Sequence, residues 1–148
     1  MSTVGKVTGV NGNLITVEFE EAVALNEVGY AIVDGLTLMS EIVRIKGRRC
    51  DMQVYEDTSG IKCGDKVEFT GELLSVERGP GLLTQVFDGL QNPLPKLAEE
   101  CGFFLQRGKY IDALPRDIEW DFTPAVKEGD LVFAGDPVGS VPEGIFKH

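Results

Sequence analysis

Imidazole and thiol chemistry in this chain would have to fall to one histidine, His148, and three cysteines, Cys50, Cys63 and Cys101. A catalytic triad or a histidine-bound metal needs side chains that converge, and a single imidazole at the last position supplies neither. The cysteines are odd in number, widely spaced and without a CxxC pair, so neither a disulfide framework nor a zinc site is expected. Carboxylate pairs occur at Glu20-Glu21, Glu99-Glu100 and Asp117 with Glu119. Buried together, such pairs could divide acid and base work, but their polar settings predict solvated side chains. No GxxxxGK[ST] is present, which removes the usual backbone cradle and lysine for nucleotide phosphates. Gly79-Pro80-Gly81 would let backbone N–H groups approach an anion, yet a bend that positions a following helix is the expected role. The residues therefore predict no catalytic, cofactor-binding or metal-binding group.

Charge narrows the partners. Fourteen basic residues stand against 24 acidic ones, a net charge of −10, which repels nucleic-acid backbones and anionic lipid at long range. The single basic cluster, Arg44, Lys46, Arg48 and Arg49, is expected to be a solvated hairpin tip. The opening MSTVGKVTGVNG has no basic region leading into an apolar one, and no run of about 18 apolar residues occurs. A soluble protein of a reducing compartment is expected, with any membrane association made through a partner. Among the aromatics Phe103, Phe104, Tyr110, Trp120 and Phe122, at least three are expected in the core.

The elements follow from the spacing. Val4 to Ser75 reads as short strands separated by turns. Val7 to Val10 and Leu14 to Phe19 flank Asn11-Gly12, and Gly29 to Val33 and Leu36 to Met39 flank Asp34-Gly35. Glu41 to Ile45 and Cys50 to Tyr55 flank Lys46 to Arg49, and Lys66 to Thr70 alternates with period two after the turn at Gly60 to Asp65. Five or six strands in about seventy residues predict a small closed barrel. Leu82 to Phe87 and Leu94 to Cys101 have helical spacing, with Pro95 in the first turn of the second helix and Gly102 just past its end. From Phe103 strands are expected again, at Phe103 to Leu105, Tyr110-Ile111 and Trp120 to Pro124. Two Gly-Asp turns, Gly129-Asp130 and Gly135-Asp136, then lead to an exposed edge at Val141 to Phe146, so 1–148 is expected to be a fragment of a longer polypeptide.

The run from Ser75 to Leu94, SVERGPGLLTQVFDGLQNPL, resembles the junction between barrel and nucleotide domain in the catalytic A (alpha) subunits of V/A-type rotary ATPases, or ATP synthases. An apolar-acidic lead-in, GPG, an apolar stretch, FDG, one apolar residue, Q and PL carry the likeness. The resemblance implies a mainly β chain in three parts: an N-terminal β-barrel, or crown, over 1–75; a connector with short helices over 76–102; and over 103–148 the first half of an inserted, β-rich bulge domain, truncated. It also implies a structural role at the junction for Gly79, Gly81, Phe87, Asp88, Gly89, Gln91 and Pro93. The parent subunit would couple ATP hydrolysis or synthesis to proton or sodium transport as a hydrolase with ATP and Mg²⁺. It would sit in an alternating A3B3 ring with B subunits and peripheral stalk subunits, cytoplasmic and peripheral to the membrane. The family's catalytic residues would all lie beyond His148, leaving 1–148 alone without enzyme activity or cofactor. Two other readings remain: a biotinyl- or lipoyl-type carrier, from the KEGD and AGDPVG turns, and an OB-like nucleic-acid module, which the acidic balance opposes.

Overall fold

The computed structural model describes residues 3–148. Six strands, β1 (Val4–Asn11), β2 (Leu14–Phe19), β3 (Glu27–Val33), β4 (Leu36–Lys46), β5 (Arg49–Val54) and β6 (Lys66–Leu73), close into a barrel in the order β1-β2-β5-β4-β3-β6. Every neighbouring pair is antiparallel, so hairpin turns suffice to connect most of it and no strand is left with an open edge. The period-two pattern sends Ile15, Val17 and Phe19 from β2, Leu38 and Ile42 from β4, Cys50, Met52 and Val54 from β5, and Val67 and Phe69 from β6 into one core. Phe19 and Phe69 meet edge to face with ring centroids 6.1 Å apart, an arrangement that adds to their area burial. Gly5 is needed where it stands: a Cβ there would lie 2.6 Å from Val17 Cγ1 and 2.9 Å from the Phe69 ring.

The turns differ in detail from their expected places. Asn11 pairs with Leu14, so the first loop is Gly12-Asn13 rather than Asn11-Gly12. The positive φ falls on Gly12, the first central residue, as a II′ hairpin turn requires. The segments expected at Leu36 to Met39 and Glu41 to Ile45 are one 11-residue strand. Ser40 hid the join, because a buried hydroxyl interrupts the apolar pattern; its Oγ donates to Gly29 O at 2.8 Å. Arg49 pairs with Lys46, which shortens the next loop to Gly47-Arg48. A second buried polar group, the Glu27 carboxylate, accepts N–H bonds from Ala24 and Gly71, both at 2.8 Å, so its burial is compensated.

Residues 76–105 and 110–148 form a second compact unit, while Gln106–Lys109 belongs with the barrel. In the second unit α1 (Leu94–Cys101) begins at Pro93 with Pro95 in its first turn, and the Gly102 N–H closes its end on Ala98 O. The helix expected at Leu82 to Phe87 is absent. Thr84 takes φ 64, outside the helical region, and Val86 O accepts from Leu94 N–H while Phe87 bridges Pro93. That local pairing overrides the apolar spacing. Phe103 to Leu105 and Tyr110-Ile111 form no strand either. Two short ladders follow, β7 (Thr123–Pro124) with β8 (Gly139–Ser140), and β9 (Pro142–Glu143) with β10 (Phe146–Lys147). Val141 and His148 exchange backbone bonds of 2.8 and 2.9 Å, so the segment expected to be a free edge folds back as a hairpin.

The aromatic expectation fails. Phe103 and Phe104 are fully or almost fully exposed, Phe122 is exposed, and Trp120 and Tyr110 are only half-buried. Small two-residue ladders offer too little apolar surface to bury rings of this size. No helix among the described residues is long and apolar enough to cross a membrane.

Candidate functional site

The junction motif folds into a polar clasp inside the second unit. Asp88 Oδ1 accepts the N–H groups of Leu90 and Asn92 at 2.9 and 2.8 Å, and Oδ2 accepts from Asn92 Nδ2 at 2.8 Å. The Asp88 N–H donates to Asn92 O, and its carbonyl accepts from Gln91 N–H. This is the self-bonding for which short carboxylates favour turns. It holds Gln91 at φ 65, a position that non-glycine residues occupy only when the surroundings demand it.

Held there, the Gln91 amide acts like one residue of a neighbouring strand. Its Nε2 donates to Glu77 O at 2.8 Å, and its Oε1 accepts from Glu77 N–H at 2.7 Å. The Glu77 carboxylate in turn accepts from Leu114 N–H at 3.2 Å and from the Arg116 guanidinium. Asn92, buried, accepts from Ile111 N–H at 2.9 Å through Oδ1. Three stretches of chain, around 77, 87–93 and 111–116, are thereby tied together by side chains bonding to backbone. These groups spend their hydrogen-bonding capacity on the fold.

The other junction residues surround it. Phe87 and Leu90 are half-buried, Pro93 is buried at the start of α1, and Gly89 in the turn and Leu94 are exposed. A Cβ on Gly79 would lie 3.2 Å from Leu114 Cδ1, and one on Gly81 3.0 Å from Pro115 Cδ. The Gly81 N–H donates to Glu143 Oε1 at 2.9 Å. A carboxylate thus already takes the donor that a phosphate loop would offer, and no helix follows the glycines as expected. Glu77, Asn92 and Arg116 escaped notice as site residues. Asn92-Pro93 carried a turn signal, and Glu77 lay in the acidic lead-in, but nothing local pointed from Arg116 to a partner 39 residues away.

The remaining candidates stay apart. Glu20, Glu21, Glu99, Glu100, Asp117 and Glu119 are exposed, and the cysteines are unpaired, with Cys50 buried and Cys63 exposed. In the basic cluster Arg44 is bonded to Asp51, which also accepts from Thr16 Oγ1 at 2.9 Å. These bonds hold the Asp51 carboxyl below the usual carboxylate range. Arg44, Lys46 and Arg49 line an open cleft of about 250 Å³. His148 Nε2 lies 2.6 Å from Glu143 Oε2. No group of three or more metal-ligating side chains converges among the described residues.

Known proteins resemble the chain over nearly its whole length. A family described as the ATP synthase alpha/beta family, beta-barrel domain, matches residues 7–71, and an ATP synthase alpha/beta subunit barrel-sandwich domain matches residues 111–148. The chain belongs to the ATP synthase alpha/beta family. Within it, the chain is 60% identical over 146 residues to the V-type ATP synthase alpha chain of Treponema denticola, covering 99% of this chain and 25% of that protein. It is 58% identical to V-type ATP synthase alpha chain 1 of Treponema pallidum, and 56% identical over 148 residues to the alpha chain of Borreliella burgdorferi, 26% of that protein's length. The chain therefore spans about a quarter of the length of these relatives and matches their N-terminal part. The carrier reading is set aside by these matches, since the KEGD and AGDPVG turns lie within the barrel-sandwich domain of this ATP synthase family.

Proposed function

We propose that residues 1–148 act as the crown, connector and first half of the bulge domain of a catalytic A (alpha) subunit. That subunit would work in a membrane-bound rotary complex coupling ATP hydrolysis or synthesis to proton or sodium movement. The observation that carries this reading is the closed barrel within a chain 60% identical, over nearly its whole length, to a V-type ATP synthase alpha chain. The barrel over 1–75 closes on itself and leaves its outer rim for neighbours, B subunits of an alternating ring. The segment 76–102 carries the junction residues Gly79, Gly81, Phe87, Asp88, Gly89, Gln91 and Pro93, whose role is to fasten this stretch. Residues 103–148 would be completed by further strands, for which exposed Phe122, Leu131, Phe133 and Ile145 await a covering layer. Peripheral stalk subunits would be further partners.

ATP and Mg²⁺ belong to the parent subunit in this reading. The residues here do not fit them: the Gly81 N–H is engaged by Glu143, and the start of α1 has Pro93 and Pro95, with the Leu94 N–H engaged by Val86. Calorimetric titration with Mg-ATP tests the reading. The 148-residue chain is expected to give no binding heat, and the full-length polypeptide, carrying GxxxxGK[ST] downstream, to bind and to hydrolyse ATP when assembled with B subunits. Specific binding by 1–148 alone, or a native polypeptide that ends without a phosphate loop, would sink it.

A further inference from the structure

The second unit holds a cleft of about 350 Å³ lined entirely by its own residues, among them Lys96 of α1, Pro115, Asp117, Ile118, Trp120 and Glu143. That volume is in the range of sites for small molecules. Gly81 shapes it: a Cβ there would lie 3.0 Å from Pro115 Cδ and 3.5 Å from Trp120 Cζ2, so a larger residue would crowd both rings. The Gly81 N–H donates to Glu143 Oε1 at 2.9 Å, and Glu143 Oε2 is enclosed, 2.6 Å from His148 Nε2. The Glu143 carboxylate is therefore a fixed charge. Asp117 is exposed, and Arg116, the base beside it in sequence, is paired with Glu77 and Asp112. Two carboxylates against the single Lys96 ammonium leave the cleft negative, in a chain of net charge −10.

That sign repels phosphates and carboxylates and attracts cations. A divalent metal ion wants several oxygen ligands at once, and no three metal-ligating side chains converge among the described residues. An organic ammonium asks for less: a carboxylate for its N–H donors, an aromatic ring for its charge and apolar surface for its carbon chain. Asp117, the Trp120 indole, and the Pro115 and Ile118 side chains supply all three within one cleft. We propose that this cleft binds small organic amines, with Asp117 accepting from the ammonium group, Trp120 against the cation, and Pro115 and Ile118 against the alkyl stem. Lys96, carrying the ligand's own charge, weakens the binding.

Trp120 is the only tryptophan in the sequence, so its fluorescence reports on this cleft alone. The test is a titration of the 148-residue chain with cadaverine, set against the diol of the same carbon length, sodium chloride of matched ionic strength, and pyrophosphate. Cadaverine should give a saturable change in emission and the other three none. Asp117→Asn should weaken the binding roughly fivefold, and Lys96→Gln should strengthen it roughly threefold, in keeping with the worth of exposed charge pairs. Both side chains are exposed, so both variants should melt at the wild-type temperature. Glu20→Gln removes an equal charge from the barrel and should leave the titration as it is. The absence of a saturable change, or a response shared by the diol or the salt, overturns the proposal. So does an affinity untouched by Asp117→Asn or lowered by Lys96→Gln, the pattern of an anion site. A loss in Glu20→Gln equal to that in Asp117→Asn would reduce the effect to attraction by the charge of the whole chain, and the cleft would have no part in it.

Discussion

Two thiols in one small barrel show how far position governs a residue's chemistry. Burial, and then the charges of Asp51 and Glu27, push the Cys50 thiol up to about 12, while Cys63 stands exposed in the turn before β6. Since the thiolate is the reactive form, titration with a disulfide reagent near neutral pH should modify Cys63 at once and Cys50 only on unfolding. Rapid labelling of Cys50 in the folded chain would contradict the closed barrel. The same shift acts on stability. A raised thiol contributes fully below its unfolded value of about 8.5, and the contribution is lost as pH climbs from there toward 12. Asp51 works at the other end of the scale. Its depressed carboxyl, bonded by Arg44 and Thr16, gives stability that is present above the ordinary carboxylate value of about 3.9 and disappears as pH falls through the lower folded value. Asp51→Asn should therefore shallow the acid limb of a pH-dependent melting curve and, by removing one of the charges that raise the Cys50 thiol, soften the alkaline limb to a smaller degree. An unchanged acid limb would show that the pair is too exposed to matter.

Among the elements, the clasp can be measured against the core. Gln91→Ala leaves the Glu77 N–H and C=O without the partners they have now, and should cost about 1–3 kcal/mol in denaturant titration. Phe69→Ala removes a fully enclosed ring and should cost about 3–5 kcal/mol, whereas Phe87, half-buried, should cost less than that. A loss at Phe87 equal to that at Phe69 would mean the junction is packed as tightly as the barrel core. The same contrast explains what could be read in the sequence. Alternation was strong in β2, β5 and β6, where each inward position is apolar, so the barrel was legible before any coordinates. Ser40 broke the pattern and split β4, because a buried hydroxyl bonded to Gly29 O looks polar from the sequence. The clasp was visible as a motif, FDGLQNPL, but its partners were not, since Glu77, Ile111 and Arg116 meet it across long separations. Leu82 to Phe87 misled because apolar spacing says nothing of the Asp88 turn and the Phe87–Pro93 bridge, which fix that backbone by other means. The Lys62 to Asp65, Lys127 to Asp130 and Phe133 to Asp136 turns were more faithful. In each, the aspartate carboxylate accepts the N–H three residues before it, a bond that local sequence alone specifies.

At the scale of the whole molecule, order is unequally distributed. The barrel is closed, its strands are six to eleven residues long, and its core is continuous. The unit of 76–105 and 110–148 has one eight-residue helix, two two-residue ladders and many exposed large apolar side chains. Opening free energies in such a chain should range from near zero up to that of global unfolding, with the highest values where backbone bonds lie under packed apolar groups. Amide exchange should thus be slowest at Met52, Val67 and Phe69, intermediate around Gln91 and Asn92, where the clasp bonds the backbone, and fastest over 131–136, where an aspartate-capped turn joins Phe133 to Asp136. Adding the remainder of a full-length relative tests the proposed bulge: if further strands cover Phe122, Leu131, Phe133 and Ile145, exchange over 120–146 should slow by orders of magnitude while the barrel's stays as it was. Equal protection of these residues in the 148-residue chain and in the longer polypeptide would mean that nothing downstream covers them, and the half-domain reading of 103–148 would fall while the barrel assignment stood.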